Sequence, residues 1–362
     1  MLTRFITIIT VIIMLVPNSV KSQEYDEELN CSHKSFDIGT ANSGLSFGNS
    51  KSWNGIRFNI TDCGIEEING INITFWQPDD VPGSEINGLA LGLAPVAGSI
   101  SGSAIGLAVV AEHDLLGLNL GLLASVAGSD MMGINFSILA LVADGNINGI
   151  NFGGLAQVSQ GGMAGFNFGG LALVSEGSIR GLNFGGLALV SKNNITGINI
   201  GGLALVSEGG IEGINIGGLA LVSQNEILGI NLAGLALVSE QEISGINIGG
   251  LTITSESGIQ GLNFTLGKLL SENEINGVSV SGYKTESSIL NGINISIIWT
   301  DIYELNGFSI AGYNRISGVQ NGITIGLVNF AEILNGLQIG LINIAENNPA
   351  PLKILPIINA NF

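Results

Sequence analysis

The sequence predicts an all-β chain, a parallel β-solenoid built from 14–16-residue Gly/Asn-rich repeats. Three observations carry this reading. Gly117, Gly133, Gly149, Gly165, Gly181, Gly197, Gly213, Gly229, Gly245, Gly261 and Gly277 fall every sixteen residues, the mark of units that bury their apolar surface only against their neighbours. Asparagine recurs in the same frame at Asn119, Asn135, Asn151, Asn167, Asn183, Asn199, Asn215, Asn231, Asn247 and Asn263. In a parallel solenoid these side chains stack about 4.8 Å apart, close enough for a structural ladder of amide hydrogen bonds. Third, the glycine content and the Val/Ile-rich alternating runs favour strands over helices.

The first element is an address. Arg4 precedes an apolar run from Phe5 to Val16, Pro17 breaks it, and Ser19 to Ser22 offer small residues for cleavage before Gln23. Residues 1–22 therefore read as a signal peptide, because the run is too short for the roughly twenty residues of a membrane helix. Residues 23–43 are polar, acidic and without repeat character, and read as a flexible leader. The repeat array spans residues 44–345. Its first units, at Gly44, Gly55, Gly70, Gly88 and Gly102, are irregular, with the loop Gln77–Gly83 in the longest interval. Later spacings shorten at Gly292, Gly307, Gly322 and Gly336, and residues 346–362 form a C-terminal cap.

Within one unit, Gly-Ile-Asn-Ile-Gly-Gly-Leu-Ala-Leu-Val-Ser-Glu from Gly197, strand alternation puts Ile198 and Ile200 on one face and Asn199 on the other. Gly201-Gly202 permits a bend. A one-residue shift there would place Ile198, Ile200, Leu203 and Leu205 on a shared inner face. The run Leu-Ala-Leu-Val then leaves an apolar stripe outside, which implies self-association, a surface partner or membrane contact. The same stripe, with the terminal Phe362, supports the structural alternative, an outer-membrane β-barrel with one strand per repeat.

Composition excludes several functions. Asp and Glu number 29 against 11 Lys and Arg, a net charge of −18 that opposes nucleic-acid binding. Cys31 and Cys63, both ahead of the regular units, could form a disulfide in an exported protein. His33 and His113 are far apart in sequence and read as surface residues, and no His/Cys/Asp cluster has metal-ligand spacing. The acidic residues after the recurring serines, Glu176, Glu208, Glu240, Glu256 and Glu272, read as a solvated turn edge. The units lack the aspartate of calcium-binding coils. The glycine pairs open no helix and precede no Lys-Ser/Thr, so they are not phosphate loops. Catalytic, metal and cofactor residues are all expected to be none.

The units Asn-Gly-Ile-Thr-Ile-Gly-Leu-Val-Asn-Phe-Ala-Glu from Asn321 and Asn-Gly-Leu-Gln-Ile-Gly-Leu-Ile-Asn-Ile-Ala-Glu from Asn335, with the ending Leu352 to Phe362, resemble those of bacterial surface repeat-containing proteins. The resemblance covers roughly residues 85–362, although the Leu-Ala-Leu-Val units of the middle depart from the family's Leu-Val-Asn form. It implies an exported protein of the cell envelope, outer membrane or cell surface, with no catalytic residues to carry over. The expectation is a non-catalytic structural or adhesive scaffold, with an outer-membrane channel as the alternative.

Overall fold

The computed structural model describes residues 31–79 and 83–362, and the expected signal peptide and its cleavage site lie outside the described residues. Residues 33–362 form one compact unit. It is a β-solenoid. One coil shows how the sequence builds it. A long strand, Ile195–Gly201, is followed by a turn at Gly202-Leu203, a short strand, Ala204–Ser207, and a three-residue link. Each strand pairs in parallel with its counterpart sixteen residues on, Asn199 beside Asn215 and Ala204 beside Ala220. Strand pairing is parallel in this way from Ser43 to Ile310, which excludes the barrel alternative, whose neighbouring strands would run in opposite directions.

The recurring glycine shapes every coil. Gly197 has φ +113°, a conformation L side chains rarely adopt, and a Cβ there would collide with the carbonyl oxygen of Gly181 one coil below. The positive φ also interrupts the strand alternation. Ile195 and Asn199 point inward, while Thr196, Gly197 and Ile198 between them all lie toward the outside.

That interruption overturns the expected inner face. Of the four aliphatics assigned to it, only Leu205 is in the core; Ile198 is 41 % exposed and Leu203 47 % exposed. Asn199, expected opposite the aliphatic face, is fully buried. The interior is lined instead by Ile195, Asn199 and Gly201 of the long strand and by Leu205 and Ser207 of the short strand. Ile195 belongs to a column of large apolar residues that includes Met131, Ile147, Met163, Ile179 and Ile211. This column and the Leu205 column form the hydrophobic core along the regular coils.

Both ends close with an antiparallel strand. Ser35–Thr40 folds back on Ser43–Gly48, so residues 35–40 of the expected flexible leader are strand. At the other end Ile354–Asn361 runs antiparallel to Gly336–Ile344. Each covers the open hydrogen-bonding edge that a parallel stack otherwise presents.

Candidate functional surface

The asparagines lie in one buried row. Asn183 Nδ2 donates to Asn199 Oδ1 over 2.8 Å, and Asn199 Nδ2 donates to Asn215 Oδ1 over 2.8 Å. The same bond links every successive pair from Asn119 to Asn263. Asn263 then donates to Ser279 Oγ, while the carbonyl oxygen of Asn119 accepts no bond. The second N–H of Asn199 reaches the backbone carbonyl of Glu212 at 3.4 Å. Desolvation of ten amides is thus offset by bonds among themselves.

The recurring serines act differently. Ser175 Oγ donates to the carbonyl of Gly161, and Ser207 Oγ to that of Asn193, tying each link to the coil before it. From Asn314 a second buried amide row runs through Asn329 to Asn343, each bond 2.8 Å. An external row runs through Asn276, Asn291, Asn306, Asn321 and Asn335, its donors pointing toward the N-terminus. The sequence reading missed both rows, although the Asn-Gly and Leu-Val-Asn spacing of the last units carries the signal.

The first coils enclose a charged pair. Arg57 and Asp62, both fully buried, are bonded at 2.5 Å. Arg57 also donates to Asn49, Ser50 and Asn72, and Asp62 accepts from Asn59, Asn72 and Thr74. Every partner belongs to the first coils, so both buried charges are satisfied locally, as burial of an ion pair requires. Cys31 and Cys63 are both disulfide-bonded.

None of these interior groups faces solvent, so binding chemistry must come from the exterior. Among the described residues no three His, Cys, Asp or Glu side chains gather as a metal site. His33 and His113 are both exposed, and the glutamates from Glu176 to Glu272 line the solvated links, Glu176 paired with Lys192 at 2.5 Å. The long strands instead present two outer apolar columns. Ile198 lies over Leu182 and under Ile214, and Ile200 over Phe184 and under Ile216. Phe136, Phe152, Phe168 and Phe184 stack face to face in the second column, with centroids 5.0, 4.6 and 5.1 Å apart. Leu203 and its equivalents protrude along the turn as an exposed ridge.

The short strands present alanine and valine outward as far as Ala236 and Val238, then Thr252 and Thr254, Lys268 and Leu270, and Lys284 and Glu286. Lys284 bonds Glu286 and Asp301, each at 3.1 Å, and sits 4.2 Å from the centroid of the Trp299 ring. Lys268 bonds Glu286 at 2.9 Å. Burial alone would lower the Lys284 ammonium, but the bonds to Asp301 and Glu286 outweigh it and hold its pKa above the ordinary value. The bond from Lys268 is the main cause holding Glu286 below its ordinary value. No helix among the described residues is long and apolar enough to cross a membrane.

No protein-family model, curated protein or solved structure matches the chain.

Proposed function

We propose that the chain is an exported, non-catalytic scaffold of the cell envelope or surface, structural or adhesive in role, that works through the outer face of its long strands. The observation that carries this reading is the unbroken pair of apolar columns through Ile198 and Ile200, the first exposed along successive coils and the second half-buried on most of them, with stacked phenylalanines in the second. A contiguous apolar surface of this size on a folded protein marks a contact site. The exposed link acids, Glu208 among them, lie away from these columns, and the acidic Glu212 stands on the outer side of a long strand, two residues before Ile214. Export rests on the signal-peptide reading of residues 1–22, and the resemblance of the last coils to surface repeat-containing proteins points the same way.

The test is adsorption of the mature chain to alkyl-coated and hydroxyl-coated surfaces. The intact chain should be retained on the alkyl surface. Replacing Ile198, Ile214 and Ile230 with serine removes three half-exposed side chains and should lower retention at least about tenfold. Equal adsorption of the two proteins would remove the reading. Mass analysis of the exported chain should find Gln23 as its first residue, and an intact Met1 would count against export.

A further inference from the structure

The outer face of the short strands is different in kind from the adhesive columns. From Ala108 to Ala236 and from Val110 to Val238, nine coils present the same outward pair, alanine beside valine, in strict parallel register. These side chains are short and half-buried, so they form a floor without long protruding groups. A ridge of exposed leucines, Leu203 among them, borders the alanine side. Exposed acidic link residues, Glu208 among them, border the valine side, interrupted by Gly128, Gln160, Lys192 and Gln224. We propose that this floor is the seat of a second copy of the chain, the two related by a two-fold axis parallel to the direction in which the coils stack.

Three features select that occupant. The first is area. A four-residue strand spans about 13 Å and nine coils about 43 Å, so floor and ridge together cover roughly 700 Å² a copy, close to the ~800 Å² each partner buries in a stable complex. The second is shape. Short side chains let another sheet approach to about 10 Å, whereas a bilayer surface is met by protruding aromatic side chains. The floor has no aromatic residue over these coils.

The third feature is charge. A two-fold axis in this direction keeps the coils in register and exchanges the two columns, so alanine of one copy faces valine of the other. Beyond Thr252 and Thr254 the columns change character, with Lys268, Lys284 and Trp299 following on the alanine side and Leu270, Glu286 and Asp301 on the valine side. In the paired arrangement Lys284 therefore faces Glu286 of the second copy. Each leucine ridge lies over the other copy's glutamate edge, which keeps the two acidic edges apart. An antiparallel arrangement would bring those edges together and lose the lysine–glutamate match.

Sedimentation equilibrium of the mature chain at micromolar concentration tests the proposal, with twice the chain mass as the expected result. The Ala172→Lys/Ala188→Lys variant places two ammonium groups in the centre of the floor. The fold already accepts lysine in that column at Lys268 and Lys284, so circular dichroism should be unchanged. The dimer should weaken at least about a hundredfold, because the new charges would be desolvated without partners. A monomeric intact chain would overturn the proposal. So would a variant that stays dimeric, or a monomer that floats with phosphatidylcholine vesicles until the two lysines are introduced. Serine at Ile198, Ile214 and Ile230 should leave the mass doubled, so this result and the adsorption result can fail separately.

Discussion

Asn199 holds its place through two neighbours at once, accepting from Asn183 and donating to Asn215. Aspartate at that position would keep the shape, lose the donor and bring a charge among neutral amides. The lost bond costs about 0.5–1.5 kcal/mol, and the stranded partner about 1–3 more. A double-mutant cycle on Asn183 and Asn199, read by chemical denaturation, should therefore give a coupling energy well above zero. The same replacement at Asn119 should cost less, because its carbonyl oxygen already lacks a partner. A coupling of zero at Asn183/Asn199 would mean that the row contributes nothing to stability.

At the scale of the strand, glycine decides which side chains enter the core. Gly197→Ala forces a residue with a Cβ into φ +113° and against the carbonyl of Gly181. Backbone strain alone is of the order of 1–3 kcal/mol. The variant should lose at least that much in denaturant unfolding, whereas Thr196→Ala, one residue away and half-buried, should change it by less than about 0.5 kcal/mol. Equal effects would remove the steric role of the glycine column. The same residue explains what was legible in advance. The parallel stack, its period and its asparagine row follow from identical chemistry at equal spacing. The inner face does not, because strict two-residue alternation fails where Gly197 bends the strand. The default that aliphatics are inside then put Ile198 in the core and Asn199 out. The constant large apolar column through Ile195 was the available signal. It lies two residues before the glycine, outside the run that begins at Gly197. The binding surface was only partly legible. An external apolar stripe was expected, but the separation into Ile/Phe columns, a leucine ridge and an Ala/Val floor depends on the turn at Gly202-Leu203.

For the whole stack, the ends matter most. Parallel coils leave donors and acceptors unpaired at both edges, and here each edge is met by an antiparallel strand. Deleting residues 346–362 removes the strand Ile354–Asn361 and uncovers the backbone of Gly336–Ile344. Light scattering of the shortened chain should show species larger than those of the intact chain, growing with concentration, as exposed edges recruit one another. Unchanged mass would show that the terminal strand does not restrain association.

The buried asparagine row also carries a direction. Every amide from Asn119 to Asn247 points its nitrogen to the next coil, and the second N–H of Asn183, Asn199, Asn215, Asn231 and Asn247 seeks a backbone carbonyl that only nitrogen can serve. Turning one amide over would set nitrogen against nitrogen on one side and oxygen against oxygen on the other. No single member can reverse without creating two faults, so the row makes one orientational choice collectively. Its amide dipoles add along the stack, leaving an electron-rich oxygen at the Asn119 end and a donor at the Asn263 end. A chain assembled from nearly identical coils is thereby polar along its axis, and its two ends are chemically distinct even where the repeats are the same.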